Sequence, residues 1–201
     1  MTIYTDETVR DIADATVQWL DKAVIGLNLC PFAKSVRVKD QIRFAISNAE
    51  TEEELRTDLI AEMLALHHAS PEYLDTTLLI HPWVLNDFLA YNEFLDIADA
   101  TLVELGLAGE IQIASFHPQY QFADTEPDDI SNFTNRSPYP ILHLLRESSI
   151  DQAVAAFPDA EKIFGRNIET MRRLGLSGWA GLGMSAPSLP ARLIAGEKKE
   201  N

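Results

Sequence analysis

Apolar positions recur along this chain with two periods, and the switches between them lay out the elements. Val9, Ile12, Ala13, Thr16, Val17, Leu20 and Val24 fall at helical spacing behind Thr5, Asp6 and Glu7, which cap the first turn and suit its dipole. Gly26 stops that helix. From Gln41 to Ser47 the period becomes two, with Ile42, Phe44 and Ile46 on one side of a half-buried strand. Thr51-Glu52-Glu53-Glu54 is a capping box opening a helix whose inward face is Leu55, Leu59, Met63 and Leu66. Thr76 to His81 is apolar throughout, the mark of a strand covered on both faces, and Pro82 ends it. Asn86 and Asp87 cap a third helix with Phe88, Tyr91, Leu95, Ala98, Leu102 and Leu105 inward, and Ile111 to Phe116 is the third strand.

Strand, helix, strand, helix, strand with short links predicts an α/β fold with a small three-stranded parallel sheet covered by helices. Three strands leave an antiparallel, ferredoxin-like variant open. About twenty polar residues follow His117, and a loop of that length is either disordered or functional. Tyr120, Phe122, Phe133 and Tyr139 give this one apolar surface to bury. Beyond it the chain reads as all-helical. Ser137 caps a helix with Pro138 at its first position and Ile141, Leu142, Leu144 and Leu145 as its apolar residues. Ser149 and Gln152 open a short helix, and Pro158 opens the last, which Gly175 ends. Residues 1–183 thus form one globular domain, and 184–201 a flexible tail.

The net charge of -15 changes the list of partners. Nucleic acid needs a basic footprint that Arg172-Arg173 and Lys198-Lys199 are too small to supply. No apolar run approaches the roughly 20 residues that cross a membrane, and Met1 to Glu7 has no secretory signal character, so the expected location is cytoplasmic. One cysteine excludes an internal disulfide.

Candidate chemistry gathers at strand and helix ends. Two strands finish in His-Pro, at His81 and His117. In an open parallel sheet ligands lie beyond the carboxyl ends of the strands. Parallel neighbours there would set the two rings about 5–10 Å apart, within reach of one ligand or metal. The plainer reading makes each a strand cap bonded to backbone. Pro31 suits the first position of a helix, which places Cys30 at or near its N-cap. Backbone N–H groups there lower a thiol's pKa, and a nearby His would complete a nucleophile–base pair. A free cysteine beside Leu29 also reads as a small buried hydrophobe. Arg136, just before the predicted helix start, would hold an anion with Asn135 and Ser137. Alternatively it pairs with Asp124, Glu126, Asp128 or Asp129. His143 and Glu147, four apart on the predicted helix, share a face as weak metal ligands.

Three runs carry a resemblance: Gly26-Leu27-Asn28-Leu29-Cys30-Pro31-Phe32-Ala33, then Ala114-Ser115-Phe116-His117-Pro118-Gln119-Tyr120-Gln121-Phe122-Ala123, then Thr134 through Glu147. They are similar to the signature runs of a family of bacterial and plastid proteins classed as a domain of unknown function. The likeness spans about residues 8 to 182 and implies no activity or cofactor.

The leading expectation is an enzyme acting on a small anionic metabolite at the His117–Ser137 loop. His117 would be its acid or base and Cys30 its nucleophile, with Arg136, Asn135, Ser137, Tyr120 and His81 around the substrate. A second reading is a metal-binding protein using His81, His117 and His143 or a loop carboxylate, with Glu147 a further weak candidate. A third is a non-catalytic interaction module, which a pocket lined by apolar residues would favour.

Overall fold

A computed structural model describes residues 6–156 and 162–184. It shows a mixed α/β fold, mostly helical, with a four-stranded sheet. The helices α1 (Asp6–Trp19), α3 (Glu52–His68) and α4 (Phe88–Glu104) follow the apolar periods of the sequence. Thr51 and Glu54 form the reciprocal capping box of α3, and the Asp87 carboxylate accepts the Ala90 N–H at the start of α4. The strands β1 (Ile42–Ile46), β2 (Thr76–Ile80) and β3 (Ile111–Phe116) also lie where the alternation puts them. Met184 apart, the tail assigned to 184–201 is outside the described residues, as are the Thr5 cap and Pro158.

The correction is a fourth strand. Ile141–Arg146, expected as helix, is β4, and it sits inside the sheet in the order β1-β2-β4-β3. β1 and β2 pair in parallel, but β4 runs antiparallel to both β2 and β3. The sheet is therefore mixed, not three-stranded and parallel, and the part after the long loop is not all-helical. Pro138 and Pro140 do not open a helix. The carbonyl of Pro140 instead accepts the His81 N–H as the chain enters the sheet. The helices α5 (Glu147–Ala156) and α6 (Ile163–Gly181) follow, with Gly175 at φ +65° breaking the helical path of α6.

Alternation along β4 serves both faces of the sheet. Leu142 and Leu144 join Ala45, Leu79 and Ile111 in a core beneath α3 and α4. Ile141 joins Leu78 and Ile80 in a second core against Ile12, Trp19 and Leu20 of the first helix and its continuation. That continuation is a π-helical stretch, Leu20–Ile25, closed by Gly26. A Cβ on Gly26 would stand 2.3 Å from the Lys22 carbonyl oxygen, so only glycine fits this exit.

Fully buried Tyr91 of α4 ties β4 to β3. Its hydroxyl donates to the Ile141 carbonyl at 2.8 Å and accepts the Phe116 N–H at 3.1 Å. Burial pushes the phenol's pKa up and keeps it protonated as a donor. Tyr91→Phe is expected to leave two backbone groups without this partner and to cost about 1–3 kcal/mol in urea denaturation, with an unchanged m-value. A loss under about 0.5 kcal/mol would mean that the bridge does not hold the strand ends together.

Candidate ligand cavity on the sheet

The second face of the sheet is only partly covered. α1 lies over its Ile80 and Ile141 end, and beyond this a cavity of about 880 Å3 opens. Its floor is two cross-strand rows, Leu78–His143–Ala114 and Thr76–Leu145–Gln112. Trp19, Leu20 and Val24 wall one side, and Cys30, Phe32 and Val36 another. Ile150, Ala153 and Ala156 of α5 close a third. Neither α2 (Ala33–Val38) nor α5 has a buried residue, although their apolar side chains point to this space. Charged groups enter its lining only from the chain segments around the sheet end, at Lys39, Glu72, Asp75 and Arg146. The Arg146 guanidinium is committed to the carbonyls of Leu66 and Ala69 at the end of α3 and of Leu74 in the link to β2.

His143 is the polar centre of the floor. Thr76 donates its hydroxyl proton to the Leu144 carbonyl at 2.6 Å, so the hydroxyl oxygen can only accept from His143 Nε2 at 2.7 Å. That fixes the neutral tautomer with Nε2 protonated and Nδ1 bare. Nδ1 makes no hydrogen bond among the described residues and remains an acceptor on a partly accessible ring. Desolvation pushes His143 down to about 4, so the ring stays uncharged at neutral pH.

Cys30 faces the same cavity, and two effects compete at its sulfur. The N–H groups of Phe32 and Ala33 pull the thiol pKa down, as a helix start should, but desolvation is larger and the net shift is upward. The helix begins at Ala33 with Phe32 as its cap, so Cys30 stands two residues before the N-cap, near the helix start. Burial thus favours the neutral thiol over the thiolate at this position.

The other predicted site residues lie elsewhere. His81 and His117 occupy the opposite face of the sheet, both fully buried, with centroids 5.7 and 5.0 Å from the Tyr91 ring. They share the carboxyl edge of the strands as expected, but β4 lies between their strands. Both His117 nitrogens are engaged: Nε2 lies 3.2 Å from the Leu85 carbonyl, and Nδ1 accepts the Gln119 N–H. His81 Nδ1 meets the Val84 carbonyl, while its Nε2 is buried with no partner among the described residues. Desolvation lowers both histidines, His81 to about 4. His117 thus caps its strand and has no face toward Cys30.

The long loop is held by its own polar side chains. Asn132 takes the Phe122 N–H and the Thr125 hydroxyl and donates to the Glu126 carbonyl. Asn135 donates to the Ser115 carbonyl, and Ser137 to the Tyr139 carbonyl. Tyr120 packs between Phe88 and Phe122. Arg136 pairs with none of the loop acids. Its Nε and Nη2 donate to the carbonyls of Tyr120 and Pro127, and its guanidinium lies 4.2 Å from the Phe133 centroid. It lines a separate cavity of about 170 Å3.

His81, His117 and His143 cannot form one metal centre, because the sheet separates the third from the first two. Among the described residues no three His, Cys, Asp or Glu side chains group as a metal site. Glu147, expected beside His143 on a helix, instead starts α5 after His143 has left on a strand. Sequence reasoning passed over Thr76 as a functional group. The signal available was a pair of hydroxyls, Thr76 and Thr77, at the start of a strand that is otherwise leucine and isoleucine, with Thr76 on the same face as Leu78 and Ile80. No helix among the described residues is long and apolar enough to cross a membrane.

The chain belongs to the DUF1415 family, described as proteins of unknown function, whose model matches residues 11–181. No curated protein and no solved structure matches it.

The electrostatics of His143 can be read from stability. An unfolded histidine titrates near 6.5, whereas the folded ring takes up its proton only near 4. Above the unfolded value neither state binds that proton, so the contribution to stability is complete. As pH falls toward 4 the unfolded state alone becomes protonated, and stability is lost at up to about 1.4 kcal/mol per unit. His143→Gln removes this slope, so the stability advantage of the parent over the variant should shrink by about 2 kcal/mol between about pH 7 and about pH 5. A pH-independent difference in chemical denaturation would show that the ring is solvated.

Proposed function

For a member of a family without an assigned activity, we propose that the protein binds a small, mostly apolar, uncharged molecule in the cavity over the sheet, with His143 Nδ1 as its polar anchor. The observation that carries this reading is the apolar sheet face left open beneath two helices that bury none of their own residues. The volume of about 880 Å3 suits a small-molecule site, for which roughly 300–1,000 Å3 is usual. A bare acceptor on an apolar floor selects a ligand that brings a hydroxyl or N–H donor. A charged group set over the Leu78–His143–Ala114 row would meet neutral Cys30, Thr76 and His143, the charged side chains of the lining standing at the sheet end, and burying an unpaired charge is costly.

The same electrostatics favour binding over nucleophilic attack. A thiol–imidazole pair becomes reactive when the proton moves from sulfur to nitrogen. Here desolvation raises the thiol and lowers the imidazole, which drives the two apart. The reading therefore departs from the expected anion-processing enzyme at the long loop. Apolar walls instead favour the non-catalytic alternative, with an enclosed small molecule in place of a protein partner.

Nile red, a neutral lipophilic dye with no O–H or N–H donor, tests the apolar volume by itself, apart from the His143 anchor. With about 24 non-hydrogen atoms at about 0.3 kcal/mol each, it should bind at one site with a Kd in the low micromolar range. Ala114→Trp puts an indole into the cavity from β3 and should weaken binding at least about tenfold while leaving the circular dichroism unchanged. Equal binding by the parent and this variant would place the dye elsewhere and remove the proposal.

A further inference from the structure

Arg136 presents a different problem, a half-buried cation with no counter-ion in a protein of net charge -15. It forms no ion pair among the described residues, although Asp124, Glu126, Asp128 and Asp129 share its loop. Neutral groups hold it instead: two carbonyls and the face of Phe133. Two carbonyl bonds fix the plane of the guanidinium but leave its positive charge uncompensated. The remaining amino group, Nη1, makes no hydrogen bond among the described residues.

The surroundings of this cation are arranged independently. Arg136 lines the cavity of about 170 Å3, where it is the only charged residue among the described ones. Gln18 supplies a polar amide, the Ser137 hydroxyl proton being spent on the Tyr139 carbonyl, and Trp19, Phe133 and Trp179 supply the walls. The Trp19 indole N–H bonds the Arg136 carbonyl at 2.8 Å, and Phe133 and Trp179 meet edge to face, so the walls are fixed before any ligand arrives. A chain with 31 acidic residues places none of its described ones in this lining. A guanidinium held in plane, desolvated and free of acids is the arrangement that recognises an oxyanion.

We infer that the cavity beneath Arg136 binds a small oxyanion, a carboxylate or a phosphate, at a site distinct from the apolar cavity. Trp19 lines both cavities and forms the partition between them. The binding group is the guanidinium with Gln18 beside it, and the volume limits the ligand to an ion or a short-chain acid.

The experiment titrates the full 15N-labelled chain with inorganic phosphate, and separately with acetate, at constant ionic strength set by sodium chloride. The indole N–H signals of Trp19 and Trp179 and the Arg136 Nε–H signal should shift saturably. That of Trp83, which lines neither cavity, should not. The stronger of the two titrations identifies the oxyanion class. Arg136→Gln should weaken binding at least tenfold. Because Arg136 also braces its loop, Gln18→Glu is the second variant. It adds a carboxylate to the lining from an exposed position on α1 and should weaken binding by a similar factor. Linear, unsaturable shifts with both anions would overturn the inference, as would Gln18→Glu binding them as tightly as the parent. Nile red binding is expected to survive Arg136→Gln wherever that variant folds, so the two sites fail or stand separately.

Discussion

The fold depends on one insertion: β4 enters between β2 and β3 and is hydrogen-bonded along both edges. Its two ends are fastened by side chains from the α3–α4 side. Tyr91 bridges the Ile141 carbonyl to β3, and Arg146 reaches back to the carbonyls that end α3. A central strand is paired on both edges, so alternate residues of β4 face the α3–α4 core or the α1 side. Leu142 and Leu144 satisfy the first, and Ile141 the second. His143 is the exception. A polar ring stands on an apolar face, and the strand tolerates it because Thr76 of the neighbouring strand accepts its proton. The position of β4 thus determines where the one free imidazole acceptor of this face can lie.

The same insertion sorts the histidines. Residues at i and i+2 of a strand share a face, and the His-Pro ends of β2 and β3 fall on the α4 side while His143 falls on the α1 side. On the α4 side Tyr91 packs against both rings, and loop carbonyls take the polar contacts. These rings terminate strands. They stand where a ligand would sit in an open parallel sheet, but the loop from Pro118 to Pro140 folds back over that edge. Side-chain bonds from Asn132 and Asn135 do for this loop what a sheet ladder does for a strand, so it is ordered with a single 3-10 turn, Ile130–Thr134, as its regular structure.

Much of this was legible in the residues. Capping at Thr51, the alternation of Ile42, Phe44 and Ile46, and the unbroken Leu78-Leu79-Ile80 each have one reading, and the structure has those elements there. Ile141-Leu142-His143-Leu144-Leu145 does not. A short apolar run fits a buried strand and a helix equally in period, and leucine favours helix. Capping by Ser137 and two prolines tipped the reading the wrong way. Length was the arbiter available: six residues between Pro140 and Glu147 suit a strand better than a helix. That error carried His143 onto the wrong kind of element and beside the wrong partner, Glu147. The Cys30 expectation failed for another reason. The N–H groups act on the sulfur as predicted, but sequence does not show how much water the surrounding fold removes, and here desolvation is the larger effect. The grouping of Cys30 with His143, and not with His117, follows from strand order and was out of reach without β4.

The cavity follows from how the first helix ends. A helix that ran on past Trp19 with regular geometry would lay its apolar stripe along the full length of the sheet. Instead the backbone widens into a π stretch at Leu20–Ile25, and the chain turns away at Gly26, where a side chain would collide with the Lys22 carbonyl. The rows through Leu78 and Leu145 are left to α2 and α5, which have six and ten residues. Helices that short are marginal in water and draw their stability from a packed apolar face. Neither buries a residue, so each stands beside the open face without filling it. Apolar surface exposed on the sheet and on both helices around one space lacks the packing that ordinarily completes a core. A bound apolar molecule would complete it, gaining roughly 25 cal/mol for each Å2 of apolar surface removed from water. On this account a ligand would pack against α2, α5 and the sheet at once, which ties the function proposed for the site to the least packed part of the fold.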